Sequence, residues 1–346
     1  MLIKDIQADT RVEGVFCVAS KRLLETRNGS PYLALTIMDR SGEIEARVWD
    51  NATEAASGFD NGDFIRIQAD AQRYRDMVQL RISSVEPVAR EDIDPRDFMP
   101  VAPVDLGLYE KQFDRLIRGI KRDPLGPFLK ALFRKGGALR QGFVLAPAAK
   151  KMHQAYIGGL LEHSVAVASL AQETARLYPE IDGELLLAGA LVHDIGKVHE
   201  FRYDSPPIDY TDRGRLIGHS ALGIEMIDRC AEETGIDASH QDIMALKHMV
   251  LSHHGQREFG ASVLPMTPEA MALHLIDDLD AKMSFLRELG NRQEHTGPAW
   301  TPYQRLFERY FYLRGIQHGC GEDHCQEQSD DDRAERGVVQ PGIFDL

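Results

Sequence analysis

Histidine does not occur in this chain before His153, and all 13 histidines lie at or after that point. Five of them fall in one order with two aspartates: His163, then His193-Asp194, His219, His253-His254 and Asp277. Several sit inside or beside apolar runs. LLLAGALV leads into His193, Met249-Val250-Leu251 precedes His253, and Leu275, Ile276 and Leu279 surround Asp277. Any fold that buries those runs carries imidazoles and carboxylates inward with them. Buried carboxylates lacking cationic partners are costly. Imidazole with carboxylate is also the donor set that divalent transition metals favour. The second part of the chain is therefore expected to fold around metal, with two ions the expected number. Gly196 follows the first His-Asp pair and is expected to end or bend its helix.

The part without histidine reads as strands. Val12 to Val18, Tyr32 to Met38, Glu43 to Trp49, Phe64 to Ala69 and Val78 to Ile82 are five candidates, with Glu43–Trp49 alternating charged and apolar residues at period two. A short helix fits Ala52–Ser57. One helix between the third and fourth of five strands is the element order of an OB-fold barrel. Such barrels bind single strands by stacking bases on aromatic rings beside cations. Phe16, Tyr32, Trp49 and Tyr74 are candidate platforms, with Arg22, Arg47, Arg66, Arg73, Arg75 and Arg81 as phosphate partners. The competing reading is that these rings are core.

Residues 89–105 carry acidic residues and three prolines, the mark of a linker. From 106 to about 315 the apolar residues recur at three and four: Phe113, Leu116, Ile117 and Ile120, then Phe128, Leu129, Leu132 and Phe133. The expected fold class is thus multidomain, a small all-β OB-fold barrel (1–90), a linker (91–105), an all-α domain (106–315) and an acidic tail (316–346). The tail sets eight acidic residues against Arg333 and Arg336 and is expected to be disordered.

The net charge of −14 argues against a general nucleic-acid coat, which needs local cation. It leaves room for an enzyme whose bound ions supply positive charge of their own. No apolar stretch approaches a membrane span, and the N-terminus lacks signal-peptide character. Four scattered cysteines do not make a disulfide framework. A cytoplasmic protein without membrane contact is expected.

The strings GGLLEHS (158–164), LAGALVHDIGK (187–197), YTDRGRLIGHS (210–220), LSHHG (251–255) and LPMTPEAMALHLIDDLDAKM (264–283) resemble the HD-domain superfamily of metal-dependent phosphohydrolases. With an OB-like module in front, the chain resembles the YhaM-type 3′-5′ exoribonucleases over nearly its whole length before the tail. The resemblance implies one metal on His163, His193, Asp194 and Asp277, and a second on His219, His253 and His254 with Asp194 bridging. It implies hydrolysis of single-stranded RNA, or DNA, with Asp194 and Lys197 catalytic and Lys197 near a phosphate. It favours manganese, although iron, cobalt and zinc suit the same donors.

Asp280 is a candidate to support a ligand or to pair with Lys282. His153 is a weaker site candidate, because Gln154 departs from the family pattern. Arg213, Arg215 and Arg257 lie beside ligands and are candidate RNA contacts. Two other functions remain open. One is an HD phosphohydrolase of nucleotides or cyclic dinucleotides, and the other is a nucleic-acid-binding protein with an inactive HD site. Self-association through exposed helical faces is a further expectation.

Overall fold

The computed structural model describes residues 1–26, 28–74, 77–102, 104–150, 154–292 and 300–313. They fall into two compact units, Met1–Glu288 and Leu289–Leu346. The expected tail and His153 lie outside the described residues.

The strands are β1 (Arg11–Glu25), β2 (Pro31–Asp39), β3 (Gly42–Val48), β4 (Phe64–Tyr74) and β5 (Met77–Val88), with helix α1 (Ala52–Ser57) between β3 and β4. They close a barrel in the order β1-β2-β3-β5-β4, in which β3 and β5 run parallel and the other pairs antiparallel. β1 closes it by serving two neighbours. Arg11–Cys17 pairs with β4 and Cys17–Glu25 with β2, and a register shift between Val18 and Ser20 lets the strand bend. Alternation decides which side chains face inward. Ile44, Ala46 and Val48 are buried, whereas Glu43, Glu45 and Arg47 are not. Phe16 belongs to the barrel core with Val12, Leu33, Ile37, Ile67 and Leu80, so it is packing and not a stacking platform.

The helices are α2 (Leu106–Gly119), α3 (Leu125–Leu132), α4 (Ala138–Leu145), α5 (Gly159–Leu177), α6 (Gly183–Val192), α7 (Lys197–Glu200), α8 (Asp212–Ile217), α9 (His219–Thr234), α10 (Gln241–Ser252) and α11 (Pro268–Arg292). One two-stranded ribbon interrupts them, β6 (Phe201–Arg202) with β7 (Asp209–Tyr210). α6 is buried along its whole Leu185–Val192 run. A helix that is apolar all round must be central, and α6 packs against α5 and α10. Asp182 caps it by accepting from Leu185 N at 3.1 Å.

The stretch read as a linker packs through Phe98–Ala102 against the barrel and the helical region. Phe98 meets the barrel's Phe64 edge-on at 4.9 Å. Met99 is buried with Phe201 and Ile208. Ile157 N donates to Pro100 O and Ala102 N to Ile157 O, each at 2.9 Å. From the barrel side, the Cys17 thiol donates to the Pro206 carbonyl in the β6–β7 loop at 3.6 Å. Prolines there break periodicity without freeing the chain.

One arginine ties the two helices that end at metal-type residues. Arg122 pairs with Asp182 at the start of α6 and, through Nε, with Asp242 Oδ2 at the start of α10 at 2.9 Å. Asp242 is buried, so its charge depends on this partner. Arg122→Met is expected to lower stability by about 1.5–3 kcal/mol, the range for hydrogen bonds to charged groups. The urea midpoint would read this; an unchanged midpoint would show the tie to be dispensable.

Candidate metal centre

The seven ligand-type residues come from five places in the fold. His163 lies in the first turns of α5, and His193-Asp194 directly follows α6. His219 opens α9, His253-His254 follows α10, and Asp277 lies within α11. They gather as two triads, His163–His193–Asp277 and His219–His253–His254, each with ligand atoms within 4.8 Å of one another.

Asp194 stands between the triads. Its Oδ2 is 3.4 Å from His193 Nε2 and 3.6 Å from His163 Nε2. Its Oδ1 is 3.5 Å from His253 Nε2 and 3.6 Å from His219 Nε2. Each oxygen of one carboxylate thus addresses a different triad. Oδ1 is buried and accepts no hydrogen bond from the described residues. Such an orphaned acceptor is costly unless something cationic meets it.

The imidazoles are oriented from behind. His193 Nδ1 lies 2.9 Å from Ala190 O and His253 Nδ1 lies 2.7 Å from Val250 O. A carbonyl can only accept, so both Nδ1 atoms carry protons. His163 Nδ1 faces Asp280 Oδ2 at 2.7 Å and His219 Nδ1 faces Glu200 Oε1 at 3.1 Å. The Nε2 atoms therefore turn inward: His163 to His193 at 3.1 Å, His219 to His254 at 3.0 Å and His219 to His253 at 3.4 Å. Lone pairs converging at these distances repel unless a proton or metal ion lies among them. This donor set and its outer partners fit divalent metal.

The electrostatics agree. Burial alone would lower the His163 pKa, but Asp277 and Asp280 outweigh it and hold it up to about 10. Burial, with His253 and His219 nearby, pushes His254 down to about 3. Burial also lowers His253, against the pull of Asp194. Burial would raise Asp194 and Asp277, yet Lys197 and His193 hold Asp194 well below the carboxylate range, and His163 and His193 do so for Asp277. The Lys197 ammonium donates to Asp194 Oδ2 at 2.5 Å.

Two glycines admit this convergence. A Cβ on Gly196 would stand 1.9 Å from His219 O. Its φ of −65° is ordinary for a helix, so the glycine serves close approach of α9 and not a bend. Gly255 has φ +73°, and a Cβ there would meet the His274 ring at 2.2 Å.

Other candidates sort by surroundings. Asp280 supports His163, while Lys282 pairs with Asp278 at 2.5 Å. On the barrel, Trp49 and Tyr74 are exposed at 39% and 50% and thus outside the core. Tyr32 stacks on Trp49 with centroids 4.9 Å apart, and the Arg47 guanidinium lies 5.4 Å from Tyr32 and 5.8 Å from Tyr74. Arg213 pairs with Glu225 at 2.5 Å and Arg215 with Asp209 at 3.0 Å. Arg257 is exposed.

Sequence reasoning missed Glu200, His274 and Phe259. His274 Nδ1 lies 3.0 Å from His253 O, and Phe259, 67% exposed, joins Lys197, Asp278 and Ala281 around a cleft of about 170 Å³ at the triads. None of the three sits in a pattern that a single sequence distinguishes from background.

The HD domain family matches residues 160–282, and the OB-fold nucleic acid binding domain family matches residues 17–88. The 3'-5' exoribonuclease YhaM of Bacillus pumilus is 37% identical over 75% of this chain and 81% of its own. That of Bacillus subtilis is 35% identical over 75% and 81%. That of Listeria monocytogenes is 34% identical over 78% and 84%. Among solved structures, the mitochondrial single-stranded DNA binding protein Rim1 of S. cerevisiae is similar over 24% of this chain and 97% of its own, at 15% identity and a TM-score of 0.21, too low to add to the family matches.

The two triads differ in what a metal must displace. In metal-free protein at pH 7.5, His163 lies below its pKa of about 10 and carries a proton, whereas His254 lies above its pKa of about 3 and is neutral. Metal taking His163 is expected to displace that proton, whereas metal taking His254 displaces none. Calorimetric titration in two buffers of different ionisation enthalpy would read the difference. Equal release at both steps would contradict this assignment.

Proposed function

Because this chain belongs to the YhaM family of 3′-5′ exoribonucleases, we propose that it shortens single-stranded RNA from the 3′ end using two divalent ions. His163, His193, Asp194 and Asp277 would hold one ion, and His219, His253, His254 and the same Asp194 the other. Manganese suits this mixed histidine and carboxylate set, as do iron, cobalt and zinc. Bound there, the ions would neutralise the phosphodiester and lower the pKa of water. The observation that carries the reading is Asp194, with one oxygen turned to each triad.

The chain's own residues supply the rest. Lys197 keeps Asp194 ionised at the cleft wall, where a phosphate oxygen would arrive. Phe259 offers an exposed ring to the terminal base, with Arg257 beside it for a phosphate. The Tyr32–Trp49 stack, Arg47 and Tyr74 give the barrel a surface for the strand upstream. Arg213 and Arg215 already have acidic partners and are the weaker RNA contacts.

The OB-fold nucleic acid binding module ahead of the cleft favours a chain end over a free nucleotide or cyclic dinucleotide. The complete ligand set disfavours an inactive site. No helix among the described residues is long and apolar enough to cross a membrane. Free, buried Cys17 and Cys230 fit the expected cytoplasmic setting. Met271, Leu275, Leu279 and Met283, exposed at four-residue steps on α11, support self-association.

With manganese and RNA labelled at its 5′ end, a ladder shortening stepwise from the 3′ end is expected. EDTA or Asp194→Ala should abolish it, and an intact band from the metal-loaded protein would refute the proposal. Trp49→Ala should raise KM about 5- to 150-fold, from about 1–3 kcal/mol per stacked base. Its metal content should not change. A KM that stays put would remove Trp49 from the RNA path.

A further inference from the structure

We infer that Glu200 is a positioning residue for the second metal site, acting through His219. The inference rests on the metal-dependent reading above and adds a residue to it. Glu200 lies outside both triads, at the end of α7, and is 6% exposed. Its Oε1 makes two contacts to one residue, accepting from His219 N at 3.1 Å and facing His219 Nδ1 at 3.1 Å.

The first contact fixes the backbone. His219 is the first residue of α9, and Gly218 before it offers no side-chain cap. The leading N–H groups of a helix have no partner within it. Glu200 supplies one from another helix, so the start of α9 is held where His219 must stand.

The second contact fixes the ring. A carboxylate on Nδ1 keeps the proton on that nitrogen and leaves Nε2 as the inward donor. His219 Nε2 lies within 3.4 Å of the Nε2 atoms of both His253 and His254 and 3.6 Å from Asp194 Oδ1. Its Nε2 reaches both of the others. Turning this ring would open the triad from its centre.

The surroundings hold Glu200 in place. Thr211 N donates to Glu200 O at 2.9 Å, and Thr211 Oγ1 caps α8 through Gly214 N at 2.9 Å. A Cβ on Gly214 would lie 2.1 Å from Glu200 O, so α8 can close on Glu200 only through glycine. The first triad has a matching arrangement, with Asp280 behind His163 and a backbone carbonyl behind His193. Each triad therefore has one carboxylate-backed and one carbonyl-backed histidine, and Glu200 is to the second what Asp280 is to the first.

The test uses the full chain with Glu200→Ala and Glu200→Gln, titrated with manganese alone after metal removal. Occupancy would be measured by mass spectrometry of bound metal, and folding by circular dichroism. The alanine variant should lose about 10- to 100-fold in affinity at one of two sites and keep the other. The glutamine amide oxygen can still accept from Nδ1, so this variant should recover most of the loss. On labelled RNA, kcat should fall with the lost ion while KM holds.

Two wild-type sites in the alanine variant would overturn the role of Glu200 and leave the exoribonuclease reading standing. Equal loss at both sites in both variants would also overturn it, in favour of a general packing role. A wild-type protein that binds no manganese and cuts no RNA would sink the underlying reading and this inference together.

Discussion

The convergence of imidazole nitrogens on Asp194 is the constraint on which the rest of the helical region depends. Nε2 atoms 3.0–3.4 Å apart need a proton or a metal ion among them, and a buried carboxylate oxygen without a donor is costly. The fold tolerates this because His163, His193, His219 and His253 are braced from behind by a carbonyl or a carboxylate. It is also braced from further away. Arg122 gathers the starts of α6 and α10, the two helices that deliver His193 and His253. The centre is a strained arrangement relieved by cation, and its preorganisation is the work of the whole helical core.

Close approach is the second requirement, and glycine supplies it. Gly196 lets the start of α9 reach the His193-Asp194 turn, and Gly214 lets α8 reach Glu200. Gly255 combines a left-handed backbone with contact to His274. These are the glycines of LVHDIGK, DRGRL and SHHG. Their conformational freedom matters at only one of the three, and at the other two the missing side chain matters.

The barrel meets different physics. Its core is conventional alternation, and its outer aromatic group survives as surface because Tyr32, Trp49 and Arg47 satisfy one another. The connecting segment is no loose tether. Phe98 is packed on the barrel and Met99 on the β6–β7 ribbon, so the aromatic surface proposed to hold the strand and the cleft at the triads belong to one compact unit. An enzyme working on a polymer end gains from that, since a strand bound at one place is then presented at the other.

Much of this was legible in the residues. Alternation at period two marked β3, and α6 announced itself as an apolar run ending in His-Asp. The ligand order marked the metal-type residues because ligand chemistry admits few side chains. Phe16 shows the limit. As a type it suits stacking equally well, and only its burial makes it core. Gly196 shows another, since a bend and a close approach call for the same residue.

The sequence by itself determined which groups can coordinate and which segments alternate, because both are properties of side-chain type and local period. It also carried the family likeness. Tertiary structure alone decided which oxygen of Asp194 faces which triad, which histidine Asp280 braces, that Glu200 braces another, and that Phe259 borders the cleft. Those are relations between residues distant in the chain. His163 and Asp280 are 117 positions apart, and the bond between them exists only once α5 and α11 have packed. A carboxylate's role is set by what stands 3 Å away, and no local pattern records that distance.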